Sequence, residues 1–182
     1  MPTNTIFSLE QIRHGLHTLG VEAGQVVMLH ASLRTIGGVE GGPSGLLQAI
    51  FNVLTIEGTL MMLVGSKGAI YDIGGMSETG KKAAITDRTA FDRDQTPANP
   101  DWGVLGETLR VLKGSHRSRD PDYSFTAFGR MAKELTADHS YDYCHDPSSP
   151  LGKLCKYGGK VLPEFCTHLT LAEPDHKNFK LW

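Results

Sequence analysis

The chain has 182 residues, of which 40% are apolar and 21% charged, the balance of a globular protein rather than a disordered one. Lys and Arg number 18 against 20 Asp and Glu, a formal charge of −2, with a pI near 6.4. That excludes the basic excess of a dedicated nucleic-acid binder. No run approaches the roughly 18 apolar residues of a membrane span, and Met1-Pro2-Thr3-Asn4-Thr5 lacks the charged and apolar regions of a secretory signal. A cytoplasmic location with no membrane partner is the expectation.

The first predicted element is a helix. Ser8 precedes Gln11 by three residues, the capping-box spacing. Leu9, Ile12, Leu16 and Leu19 share one face, and Gly20 supplies the stop. Gln25 to Leu29 reads as a buried strand, followed by His30-Ala31-Ser32-Leu33-Arg34-Thr35. The connection Gly37-Gly38-Val39-Glu40-Gly41-Gly42 leads through Pro43-Ser44 into a helix that buries Leu46, Leu47, Ile50, Val53 and Leu54. Gly58 to Val64 is a second buried strand. Strand, helix and strand in that order form a βαβ unit, so the predicted fold class is α/β: a central mixed sheet with a βαβ start, flanking helices and a long loop insertion. The insertion runs from Gly65 to Asp101, where apolar periodicity lapses; a structureless stretch of that length is a functional loop or a lid. Helices are predicted again over Val104 to Leu112, Met131 to Ala137 and from Ser149-Pro150 to Gly158-Gly159. Lys160-Val161-Leu162 is a short strand, and no element follows Pro163. Glycine, at 21 residues, exceeds the usual ~7% without a collagen period, as suits tight turns and close backbone approaches.

Standard motifs are absent. The glycine connection matches neither G-x-x-x-x-G-K-[ST] nor G-x-G-x-x-G, and Gly42-Pro43-Ser44-Gly45-Leu46 fails the G-x-S-x-G elbow of serine hydrolases. Cys144, Cys155 and Cys166 are odd in number and form no disulfide framework. His139, Cys144, His145 and Asp146 are all capable zinc ligands, but their spacing fits no zinc pattern, so no metal is expected. His30 follows directly on the run Val26 to Leu29, which puts it at the carboxyl end of a parallel strand, where open α/β sheets bind ligands. Ser32 and Arg34 then offer a hydroxyl and a planar cation suited to phosphate oxygens; an ordinary strand end with a solvated arginine is the other reading. Arg117-Ser118-Arg119-Asp120-Pro121-Asp122-Tyr123-Ser124-Phe125 presents two arginines and two serines that could grip an anion. A solvated charged loop is the commoner account of such a stretch. Between Asp72 and Asp101 carboxylates slightly outnumber cations, which is compatible with amine binding without deciding for it.

In this order the stretches resemble the aminoglycoside 3-N-acetyltransferase family. The resemblance is carried by Val27-Met28-Leu29-His30-Ala31-Ser32-Leu33-Arg34-Thr35-Ile36-Gly37, Gly41-Gly42-Pro43-Ser44 and Gly58-Thr59-Leu60-Met61-Met62. It continues through Gly103-Val104-Leu105-Gly106-Glu107-Thr108-Leu109-Arg110, Ser124-Phe125-Thr126-Ala127-Phe128-Gly129, Ser149-Pro150-Leu151-Gly152-Lys153-Leu154 and Gly158-Gly159-Lys160-Val161-Leu162. It implies acetyl transfer from acetyl-CoA, the co-substrate, to an amine of an aminoglycoside or similar amino compound. Ser32, Leu33, Arg34 and Thr35 would lie along the CoA arm and His30 near the thioester end. The acceptor amine must lose a proton and the tetrahedral oxyanion must be stabilised.

The sequence departs from the family at two places. Arg117-Ser118-Arg119-Asp120-Pro121 stands where many members have Arg-Ser-x-His-Pro, the mark of a divergent branch. Thr167-His168-Leu169-Thr170-Leu171-Ala172-Glu173 stands where members place a catalytic His and, one helical turn on, a Glu; His168 and Glu173 are five apart, off the same-face spacing. Family members are also longer. The resemblance therefore implies an incomplete acetyltransferase-like domain over residues 1–162 and a divergent tail over 163–182, truncated or altered near residue 163, with His168 as a second candidate base. The alternative it leaves open is an inactive relative that at most binds CoA, and an open sheet edge in such a chain would favour a homo-oligomer.

Overall fold

A computed structural model describes residues 6–66, 75–86, 90–141 and 145–162. In chain order the elements are β1 (Ile6–Phe7), α1 (Leu9–Thr18), β2 (Val26–Leu29), α2 (Leu33–Ile36), β3 (Gly38–Val39), α3 (Gly42–Leu54) and β4 (Thr59–Leu63). They continue with α4 (Glu78–Thr86), a 3-10 turn (Pro100–Trp102), α5 (Val104–Arg110), β5 (His116–Arg117), β6 (Phe125–Gly129), α6 (Ala132–Thr136), α7 (Pro150–Lys156) and β7 (Lys160–Leu162).

The helix ends form for local reasons. Ser8 accepts from the Gln11 backbone while the Gln11 side chain accepts from the Ser8 N–H, the reciprocal capping box. At the other end Val21 N–H reaches the Leu16 carbonyl and Gly20 N–H the His17 carbonyl. This is a Schellman closure, which needs the positive φ of 74° that Gly20 supplies. The Lys160 ammonium adds a 2.5 Å bond to the Gly20 carbonyl, tying this turn to β7. Ser149 caps α7 through its hydroxyl, with Pro150 in the first turn.

The main sheet has the strand order β5-β6-β4-β2-β7. β4 is the middle strand, and β2, between β4 and β7, is parallel to both neighbours, with Val27 opposite Leu60 and Met28 opposite Val161. β6 runs antiparallel to β4, Leu63 facing Phe125, and β5 antiparallel to β6. A separate two-stranded piece pairs β1 with β3 in parallel.

Alternation along the strands feeds two cores. Val27, Leu29, Leu60, Met62 and Leu162 point to one face, where Ile12, Leu16, Leu46, Ile50, Val53, Leu105 and Leu109 of α1, α3 and α5 cover them. Val26, Met28, Met61, Phe125 and Ala127 point to the other, against Ala132, Leu135 and Leu154 of α6 and α7. Each of the larger side chains contributes about 1.5–3 kcal/mol on leaving water, and a sheet covered on both faces accounts for the continuous apolar runs of β2 and β4.

The α/β architecture and its βαβ start agree with the sequence expectation. Two expectations need correction. The stretch from 65 to 101 is not free of structure: it carries α4 and the 3-10 turn. The charged stretch from Arg117 is not a solvated loop, because Arg117, Ser118, Asp120, Ser124 and Phe125 are all buried. It ends β5 and opens β6, two strands that the sequence reading did not place.

Candidate active site at the carboxyl edge of the sheet

Because β2, β4 and β7 are parallel, their carboxyl ends share one edge; β6 starts there and β5 ends there. His30 is the first residue beyond β2. Its backbone N–H donates to the Leu162 carbonyl at 3.1 Å, extending the pairing with β7, while its side chain is exposed.

The following segment is shaped by two apolar anchors. Ile36 is buried and Leu33 packs against the core, so a single turn of helix forms with Ile36 N–H on the Ser32 carbonyl and Gly37 N–H on the Leu33 carbonyl, both 3.1 Å. Ser32 precedes this turn in extended conformation. Arg34, between the anchors, is exposed. The backbone of Thr35 belongs to α2, but its side chain lies outside the described residues. The segment thus carries His30, Ser32 and Arg34 to the carboxyl end of β2, with Leu33 as their support. His168 also lies outside the described residues.

On the β4 side of the edge the structure is closed and polar. Arg117 donates through Nε to the Ser124 hydroxyl at 3.0 Å, through one terminal nitrogen to the Thr96 carbonyl and through the other to the Gly65 carbonyl. Its guanidinium carbon sits 4.9 Å from the centre of the Phe91 ring. Burial, reinforced by the nearby Arg110 cation, pushes the Arg117 pKa down to about 10, which still leaves it charged at neutral pH. Ser124 in turn donates to the Gly65 carbonyl at 3.1 Å. Gly65 has a φ of 47°, and a Cβ there would lie 2.7 Å from the Trp102 ring and 2.8 Å from the Asp122 carbonyl; only glycine fits.

The arginine pair is therefore split. Arg117 is consumed by the protein's own carbonyls, whereas Arg119 stays exposed, 5.9 Å from the centre of the Tyr141 ring. Asp120 accepts from the Asp122 and Tyr123 backbones at 2.8 and 2.6 Å, shaping the turn into β6. The grouping of His139, His145 and Asp146 also separates. Buried His139 bonds the Ser118 hydroxyl through Nδ1 at 2.9 Å, His145 lies edge-on to Tyr123, and Asp146 accepts from Ser148 and Ser149. Those bonds, the Ser148 hydroxyl first, hold the Asp146 carboxyl below its usual range. Cys144 lies outside the described residues, and among the described residues no three His, Cys, Asp or Glu side chains converge as metal ligands.

The sequence model of the aminoglycoside 3-N-acetyltransferase family matches residues 28–163, a span that takes in the whole carboxyl edge just described. The chain belongs to this family. Aminoglycoside N(3)-acetyltransferase III of Pseudomonas aeruginosa is 41% identical over 144 residues, 79% of this chain and 53% of that protein. Two solved structures of acetyltransferases are similar in fold. One is "AAC-IIIb binary with CoASH", with a TM-score of 0.73 at 30% identity over 86% of this chain and 59% of that one. The other is "AAC-VIa bound to Sisomicin", with a TM-score of 0.78 at 31% identity over the same shares of the two chains. The chain spans about half the length of the curated relatives it matches.

The buried cluster of Arg117, Ser118, Ser124 and His139 is what sequence reading missed in this part of the acetyltransferase-family fold. A signal was present: Ser124-Phe125-Thr126-Ala127 alternates polar and apolar residues as a strand does, and a strand would have drawn its neighbours inside.

Proposed function

We propose that the chain is part of an acetyl-CoA-dependent N-acetyltransferase that acts on an amine of an aminoglycoside or a similar amino compound. The observation that carries this reading is the family match over 28–163, which includes the His30–Thr35 segment at the carboxyl end of β2. A fold relative bound to CoASH and another bound to sisomicin support the two ligand classes.

In this reading Ser32 and Arg34 hold phosphate or pantetheine oxygens of CoA, with Leu33 and the Thr35 backbone fixing the turn that presents them. The thioester end reaches His30. An acceptor amine attacks the thioester carbonyl, a base takes the amine proton, and CoA leaves as the thiol. Two histidines compete for the role of base, His30 and His168, and single substitutions to Ala separate them.

Incubating the purified chain with acetyl-CoA and a panel of aminoglycosides, while following free thiol, tests the proposal. Thiol release that depends on both substrates is expected. Release no faster than without protein, with CoA binding intact, would replace the enzyme reading by a CoA-binding one.

A further inference from the structure

The proposed chemistry leaves the buried Arg117 without a role, although it has the densest set of partners at the carboxyl edge. Its guanidinium spans two pieces of chain far apart in sequence. One is the exit from β4, where Val64 and Gly65 donate to the Ser124 carbonyl at 2.8 and 3.1 Å and Gly65 accepts from Arg117. The other is the return toward α5, where Thr96 accepts from Arg117 and Asn99 N–H donates to the Val64 carbonyl at 2.9 Å. A second arginine works on the same return. Arg110 donates to the Asp94 carbonyl at 2.7 Å and grips Glu107 by two bonds of 2.7 Å, while Glu107 also accepts from the Ala98 N–H. The exit and the return are thus fastened side by side at the edge of β4, the strand adjacent to β2 and His30.

We infer that Arg117 is a positioning residue for the acceptor: it fixes the wall next to His30 against which the amine-bearing substrate is held. This rests on the acetyltransferase reading. His30 to Arg34 occupy the end of β2 as the CoA arm, so an acceptor reaching the thioester end needs a neighbouring wall, and β4 is the strand paired with β2 on that side. The planar fork suits the task because it bonds Ser124, Gly65 and Thr96 from one fixed plane, which an ammonium on a flexible stem does not reproduce. Burial raises the stake of each bond, since a carbonyl left unpaired in the interior has no water to turn to.

The test uses the full chain and three variants, Arg117→Met, Arg117→Lys and Ser124→Ala; the last loosens the same guanidinium without removing its charge. Affinities for CoA and for sisomicin are measured by calorimetry. Peptides ending at Lys81, Lys82 and Arg93 are followed during brief trypsin treatment below the unfolding temperature. Arg117→Met is expected to weaken sisomicin by at least about tenfold, the scale of a displaced binding wall, with CoA affinity within about twofold, and to speed cleavage at those three sites. Arg117→Lys should recover only part of the loss, and Ser124→Ala should show the same pattern more weakly. If Arg117→Met fails to fold, the Ser124→Ala pattern decides. Parallel losses of CoA and sisomicin would mark a merely structural arginine and overturn the inference, as would unchanged sisomicin affinity. A parent that binds CoA but no sisomicin overturns the acceptor reading itself; faster cleavage in the variants would then uphold only the fastening of the two segments.

Discussion

Arg34 stands clear of the fold because its neighbours Leu33 and Ile36 are drawn inward, so its charge lies at the surface, where an anionic ligand can meet it. Arg34→Ala is expected to weaken CoA by about 1.5–3 kcal/mol, the size of a charge-assisted bond, and Lys to restore little. Unchanged affinity would return Arg34 to the solvent-exposed surface. Glu107 gives a pH dependence of definite sign. Its bidentate bond to Arg110, with a further bond from Ala98, holds its carboxyl below the usual 4.5. A carboxylate lowered on folding stabilises above its unfolded pKa and loses that contribution as pH falls through the folded one. Since Glu107 is partly exposed, Glu107→Gln should cost only about 1 kcal/mol at pH 7. The gap in urea midpoint between variant and parent should close as the pH is taken below 4.5; a gap that widens on acidification would contradict the assignment.

At the scale of elements, α1 is stabilised at both ends by devices visible in the sequence, and Gly20→Ala should cost about 1 kcal/mol by forcing a side chain into the left-handed turn, read as a lower thermal midpoint. The same legibility extends to β2, α3, β4, α5, α7 and β7. In each, an apolar period meets a cap or a glycine, so local propensity and burial agree. It fails where the interior is polar. Arg117, Ser118, Asp120 and Ser124 look like surface residues in a linear reading, and only the pairing of β6 with β4 brings in the carbonyls that let them be buried. α4 escaped because its sequence, Glu78-Thr79-Gly80-Lys81-Lys82-Ala83-Ala84-Ile85-Thr86, has no apolar stripe. For the site, the place of His30 followed from strand-end logic alone. The CoA roles of Ser32 to Thr35 came from family resemblance, because nothing in their spacing distinguishes a ligand arm from an ordinary strand exit.

For the molecule as a whole, the sheet separates two cores that share few side chains. Leu16 belongs to one and Leu135 to the other, both fully buried. Each change to Ala should cost about 2–5 kcal/mol, and the double variant should equal the sum within about 0.5 kcal/mol, as for sites without common partners. A larger departure in urea unfolding would mean that the sheet transmits strain between its faces. Among the described residues no helix is long and apolar enough to cross a membrane.

The place of β2 between β4 and β7 has a consequence for how the chain is made. β2 gains β4 after one short crossover, but its other flank waits for β7, in which Lys160 pairs with Val27. At a synthesis rate of about 5–20 residues per second, that flank stays unpaired on the ribosome for several seconds or longer. A nascent chain halted before residue 160 would present an apolar strand with free amides and carbonyls, the kind of template on which chains aggregate. Chaperone demand should therefore peak in this window and fall once β7 has emerged.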